Sequence, residues 1–153
     1  MNSLKDLSSK VRWGSVIVLL ALIVLVLFII YSKLPKYEVT GNVGLKTAVD
    51  PVKIKLGERS SIQIEVMNND KDEKIVIDVE AKTYDTGFIF VKTSSTKFSE
   101  KNILVGPNEA RKLKFEVKAI SNTLPGKYRV DVIARQKSYP EGAKNTIYID
   151  VTE

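Results

Sequence analysis

The chain has 153 residues and a net charge of +6, with 44% hydrophobic and 27% charged residues and no Cys or His. That length admits one compact domain and a little more. The missing Cys excludes disulfides, zinc–thiolate sites and iron–sulfur clusters, and the missing His removes the commonest general base and metal ligand at neutral pH.

The first 36 positions hold Lys5, Lys10, Arg12, Lys33 and Lys36 against Asp6 alone, a charge of +4. The other 117 residues hold 19 basic and 17 acidic side chains, so the excess charge flanks one segment instead of coating a domain as it would in a nucleic-acid binder. Between the flanks, residues 13 to 32 carry no charge, and residues 16 to 30 form an unbroken apolar run. A helix of about 20 residues spans about 30 Å, the thickness of a bilayer's hydrocarbon core.

This pattern predicts a cytoplasmic tail over residues 1–12, a transmembrane helix over 13–32 and a short linker over 33–36. Trp13 and Tyr31 stand at the ends of the span, where amphipathic rings favour headgroups, and Arg12 and Lys33 can snorkel outward beside them. The run is longer than a signal-peptide core, and bulky Phe28, Ile29, Ile30 and Tyr31 occupy the place of a small-residue cleavage site, so the segment reads as a retained anchor. A prepilin-type leader is disfavoured because Trp13 separates Arg12 from Gly14 and no Glu follows within the span. The basic residues ahead of the span favour a cytoplasmic N-terminus, which puts the C-terminal domain outside the cell membrane. The span has no Asp, Glu, Asn, Gln, Lys or Arg, and its small residues are only Gly14, Ser15 and Ala21, so it reads as a passive anchor.

Pro35 disfavours continuation of the helix, and strand-like alternation starts near Tyr37 and Val39. No Pro-rich or Gly/Ser-rich stalk intervenes, and five extended residues reach at most about 18 Å, which predicts a domain held near the bilayer. From there the period is two. Val52, Ile54 and Leu56 alternate with lysines; Ile62, Ile64 and Val66 with Gln63 and Glu65; Ile75, Ile77, Val79 and Ala81 with Val76, Asp78 and Glu80. The same pattern returns in Leu113, Phe115 and Val117, in Tyr128, Val130, Val132 and Ala134, and in Ile147, Ile149 and Val151. Turn signals separate these runs: Gly57-Glu58, Asn68-Asn69-Asp70, Gly106-Pro107-Asn108, Pro125-Gly126 and Pro140-Glu141-Gly142. The expected fold is all-β, a single immunoglobulin-like antiparallel sandwich of about seven strands over residues 37–153, preceded by one transmembrane helix.

Val52 to Glu58, Ile62 to Asn68, Val105 to Glu109 before Leu113 to Val117, and Pro125-Gly126-Lys127-Tyr128-Arg129-Val130 together form a pattern. It resembles the CARDB-like and related immunoglobulin-like domains of bacterial and archaeal envelope proteins. The likeness covers about residues 50 to 153. It implies the sandwich fold and an extracytoplasmic setting, and brings no catalytic residues. Here one copy is tied directly to a membrane helix, whereas the usual arrangement repeats the domain. The excess of Lys over Arg and the scarcity of Gln fit a thermophile.

Several features invite a functional reading. Phe88, Ile89, Phe90 and Val91 are the one continuous apolar run outside the span; a strand buries alternate residues, so one pair should face outward and offer a partner interface unless residues 93 to 102 fold back over it. Residues 68 to 73 gather oxygen ligands, but Lys71 and Lys74 offset their charge and the order lacks a calcium-loop pattern, so a solvated turn is expected. Thr93, Ser94, Ser95 and Thr96 read as an inter-strand loop, Tyr139-Pro140 as a structural feature of a hairpin connection, and Val76 and Ile133 as incidental outward positions. No spacing marks a Ser–Lys or paired-carboxylate centre. The expectation is a protein that is not an enzyme, with no cofactor, no metal, no nucleic acid and no small-molecule substrate. Its partners are the lipid bilayer and other membrane or envelope subunits, and it serves as a small accessory or structural subunit of a membrane complex in a prokaryotic envelope, archaea included. The alternative is a periplasmic component of an archaellum- or pilus-type filament that binds the cell-wall layer or a sister subunit.

Overall fold

Strands form where apolar and polar residues alternate, because inward side chains then meet the opposite sheet while outward ones meet water. The computed structural model describes residues 3–33, 36–47 and 51–153, and the side chains of all of these except 3–14 and 33. A helix, α1 (Ser3–Lys33), is followed by ten strands: β1 (Glu38–Thr40), β2 (Val43–Thr47), β3 (Val52–Lys55), β4 (Arg59–Asn68), β5 (Ile75–Thr83), β6 (Phe88–Phe90), β7 (Lys97–Val105), β8 (Ala110–Ala119), β9 (Gly126–Gln136) and β10 (Tyr139–Thr152). The helix and the β domain are separate compact units.

Residues 3–12, expected as a tail, continue the same helix, so α1 is 31 residues long. Its stretch Ser15–Ser32 is long and apolar enough to cross a membrane. Near its end the Ser32 hydroxyl donates to the Ile29 carbonyl at 2.9 Å. Tyr31 is exposed. The side chains of Arg12, Trp13 and Lys33, and the connection containing Pro35, lie outside the described residues.

The β domain is a sandwich of two five-stranded sheets, one ordered β1-β2-β4-β8-β6 and the other β3-β10-β9-β5-β7. This is the all-β, immunoglobulin-like architecture preceded by one helix that the alternation implies, with ten strands among the described residues where about seven were expected. One pairing departs from the antiparallel expectation: β3 runs parallel to β10, Val52 opposite Ile149. Inward residues of β4 and β8 (Ile62, Ile64, Val66, Phe115, Val117) face those of β5, β9 and β10, all buried. Aromatic rings tie the sheets where a disulfide and core Trp are lacking. Phe115 of β8 lies edge-on to Phe90 of β6 at 5.5 Å and stacks on Phe98 of β7 at 5.1 Å. Phe88 meets Tyr128 edge-to-face at 4.7 Å.

Two signals resolve differently from expectation. Pro140-Glu141-Gly142 is no turn: the β9–β10 connection is at Lys137 and Ser138, and Pro140 to Gly142 form a bulge inside β10, where pairing shifts between Tyr139 and Ala143. Gly142 is required there, since its φ is +62° and a Cβ would stand 2.5 Å from the Ala134 carbonyl oxygen. The turn after β4 is closed by its own side chains. Asn68, wholly buried, donates to the carbonyls of Glu73 (2.7 Å) and Gly106 (3.0 Å) and accepts from the Asp70 N–H. Asp70 accepts from the N–H groups of Asp72 and Glu73 and from Asn42, and the two backbone bonds hold its carboxyl below the usual range. The oxygens of Asn68 and Asp70 are thus already engaged by N–H donors, which gives the turn a structural purpose.

Replacing Asn68 with Ala removes the donor to the buried Gly106 carbonyl and to the partly buried Glu73 carbonyl, and the expected cost is about 2–4 kcal/mol. Chemical denaturation of N68A against the parent chain measures it; a loss under about 0.5 kcal/mol would show that water replaces the amide.

Candidate functional groove on the outer sheet face

Register across the second sheet fixes which outward side chains become neighbours, because paired residues on adjacent strands lie about 5 Å apart. Two rows result. Lys97, Lys82, Asp131 and Thr146 run side by side across β7, β5, β9 and β10; Ser99, Glu80, Ile133 and Lys144 run parallel to them. These rows form the floor of a groove of about 630 Å³. Thr93 and Ser95 of the β6–β7 connection wall one side, and Glu38 of β1 and Asn145 of β10 also line it. A smaller hollow of about 250 Å³ adjoins it, sharing Glu80, Ser99 and Arg135.

The charges on the floor are partly committed to one another. Arg129 grips Asp131 with two bonds, Nε to Oδ1 at 2.6 Å and Nη2 to Oδ2 at 3.0 Å, and the Thr146 hydroxyl donates to the same carboxylate at 2.9 Å. Burial opposes the charge of Asp131. The hydrogen bonds from Arg129, Thr146 and Tyr84 and the Arg129 charge outweigh that, so its carboxyl titrates below the usual range. Arg135 reaches Glu80 at 3.2 Å through Nη1. Its Nε is closed off from solvent and has no acceptor. Lys82, Lys97 and Lys144 make no ion pair among the described residues, and Lys82 lies over the Tyr84 ring with Nζ 4.5 Å from its centroid. Tyr84 itself is 64% exposed.

The apolar run at β6 divides as strand geometry requires. Phe88 and Phe90 are wholly buried and Ile89 and Val91 are half-buried on the outer side. The following segment turns back along the edge of β6 and into the core and leaves Ile89 and Val91 half-buried: Phe90 N–H donates to the Ser95 carbonyl at 2.8 Å, and the Phe98 ring lies 6.1 Å from Phe90. That return is held by Thr93 and Ser95, whose hydroxyls both donate to the Lys97 carbonyl, at 2.6 and 2.8 Å. The Ser/Thr loop is therefore the groove's wall as well as a connection, and Ile133, read as incidental, is part of its floor.

Most groove residues were passed over in the sequence. A signal was present: two of the chain's five arginines, Arg129 and Arg135, occupy outward positions of one strand with Asp131 and Ile133 between them, a richer set than a solvated Lys/Glu face needs. Among the described residues no group of three or more carboxylates is placed to hold a metal ion.

No protein-family model matches the sequence, and no curated protein matches it. Solved structures do. A family 123 glycoside hydrolase from Clostridium perfringens superposes with a TM-score of 0.51 at 8% identity, over 74% of this chain and 28% of that one. The native alpha-2-macroglobulin of E. coli superposes with a TM-score of 0.57 at 14% identity, over 74% of this chain and 7% of that one. The chain thus spans a small part of each, and the likeness is one of fold: a two-layer β-sandwich. A CARDB domain from Pyrococcus furiosus, solved in complex with di-metal ions, gives a TM-score of 0.47 at 14% identity over 78% of this chain and 90% of that one.

Asp131→Asn should cost roughly 1 kcal/mol near neutral pH, the loss of charge-assisted bonds discounted for the exposure of Arg129. Because folding lowers the Asp131 pKa, its contribution is present above the unfolded value of about 3.9 and disappears as pH falls through the folded value. The stability gap between parent and D131N should therefore stay level from pH 7 to about 5 and close below about 4; a gap that persists at pH 2 would assign the loss to packing.

Proposed function

We propose that this protein is a non-catalytic, single-pass membrane protein whose β domain binds partners outside the cell membrane as an accessory or structural subunit of an envelope complex. The observation that carries the reading is the open groove on the outer sheet face. Two of its carboxylates, Asp131 and Glu80, are spent on Arg129 and Arg135, and Asp131 is held ionised, which suits a fixed binding lattice and makes a poor proton donor at neutral pH. The charge-free stretch of α1 supports anchoring, and the basic residues before it support a cytoplasmic N-terminus.

A second reading, a periplasmic component of an archaellum- or pilus-type filament, is favoured by one particular: the uncommitted lysines of the groove suit attachment to an anionic wall layer. The two differ in what accompanies the protein. Native mass spectrometry of the gently solubilised protein from its own membranes should recover it with integral enzyme or transporter subunits on the first reading and with filament or surface-layer proteins on the second. A lone monomer would overturn the accessory role, and an N-terminal sequence beginning after residue 30 would replace the anchor by a cleaved signal.

The β6 face is a second candidate contact. In I89K/V91K the buried Phe88 and Phe90 stay in place, so the domain should melt within a few degrees of the parent while losing its co-purifying subunits. Full retention of those subunits would remove β6 from the interface.

A further inference from the structure

The groove has a chemistry that its internal ion pairs do not exhaust. Lys82 and Lys97 stand directly opposite each other on β5 and β7, a like-charge pair that destabilises a sheet unless an anion lies between. Lys144 stands in the neighbouring row, one strand beyond Ile133, also without an ion pair among the described residues. Against these three lysines the groove offers one uncommitted carboxylate, Glu38. The Arg135 Nε is a further donor without an acceptor, on a guanidinium that lines both the groove and the adjoining hollow. The adjoining hollow also holds an unpartnered acceptor, Gln136 Oε1, so what Arg135 offers the groove is the charge of its half-exposed guanidinium.

The floor also limits what kind of anion fits. It is the face of a sheet whose central strands β5 and β9 are paired on both sides, so its backbone N–H and C=O groups are consumed by the ladder. A peptide strand laid there would find no main-chain partners of the kind a sheet edge supplies, and its own amides would go unpaired. An unsubstituted uronate polysaccharide has only hydroxyls, ring and glycosidic oxygens and carboxylates to satisfy, and every hydroxyl both donates and accepts. The groove answers with side chains of both senses: Ser99 as a two-way partner, the second amide hydrogen of Asn145, Lys97 and Lys144 as donors, and exposed Tyr84 as an aromatic surface.

We propose that this groove binds an acidic polysaccharide strand of the cell envelope, with uronate carboxylates seated between Lys82 and Lys97 and near Lys144 and Arg135. The proposal rests on the reading of the chain as a non-catalytic envelope component, and it names the partner's chemistry for that same groove.

The test uses the full chain in nanodiscs of zwitterionic lipid, titrated calorimetrically with hexagalacturonate, with neutral maltohexaose and with hexaglutamate. Hexagalacturonate should bind saturably and at least about tenfold more tightly than either comparator, and K97A/K144A should weaken it by about tenfold or more. K112A/K114A, on the outer face of the other sheet, should leave it within about twofold, and the melting curves of both variants confirm folding. Absent binding, equal binding of hexaglutamate, or an equal effect of K112A/K114A would overturn the proposal. The recovered oligosaccharide is then sized by mass spectrometry. Intact hexamer keeps the non-catalytic reading whatever the groove does, whereas shortened chains would overturn that reading while leaving the groove as the binding site.

Discussion

The ring contact among Phe90, Phe98 and Phe115 is what the rest of the β domain depends on. Phe90 and Phe115 belong to one sheet and Phe98 to the other, and the chain passes between the sheets within the seven residues that separate Phe90 from Phe98. Without a disulfide, the energy that keeps the layers together at this edge is the burial of these rings and their edge and stacking geometry. The same crossing sets the position of Thr93 and Ser95, because their hydroxyls are tied to the Lys97 carbonyl just before Phe98 enters the core. A core contact thus builds a wall of a surface groove.

Much of this was legible in the alternation. The strands that keep one phase throughout, β4, β8 and β9, bury the residues their period selects, from Ile62 to Val66, Phe115 to Val117 and Val130 to Ala134. β7 was missed for a physical reason. Its buried residues are Phe98, Ile103 and Val105, and the step of five from Phe98 to Ile103 breaks the period of two. The break is a bulge opposite Ile77 and Val79, with Asn102 at φ +59° and its N–H held by Asp78 Oδ1 at 2.8 Å. β1 and β6 have three residues each, too few for a period to register. Pro140 and Gly142 carry turn chemistry but are used for a bulge, which needs the same positive φ.

The groove was less legible than the fold because it is a property of register. Arg129, Asp131 and Ile133 are visible as outward residues of one strand, but nothing local says that Asp131 will stand between Lys82 and Thr146, or Ile133 between Glu80 and Lys144. Those neighbours come from segments up to about fifty residues away in sequence, and a one-residue slip in any pairing would replace them all. The bidentate Arg129–Asp131 pair has the opposite character, being two residues apart on one strand, and it fixes an orientation in the floor that the lysines around it do not share.

Strand order also determines how the β domain answers a mechanical load. Tension carried along the chain from α1 enters at β1, a three-residue strand paired antiparallel to β2, whose rungs open one after another when pulled from the end. Behind it, β3 runs parallel to the last strand, β10, through four register pairs from Val52 to Lys55, and strands pulled along their length must break such rungs together. A domain loaded between its N-terminal end and a ligand in the groove would thus yield first by paying out β1, a short compliant leader whose release withdraws Glu38 from the groove while the sandwich stays closed.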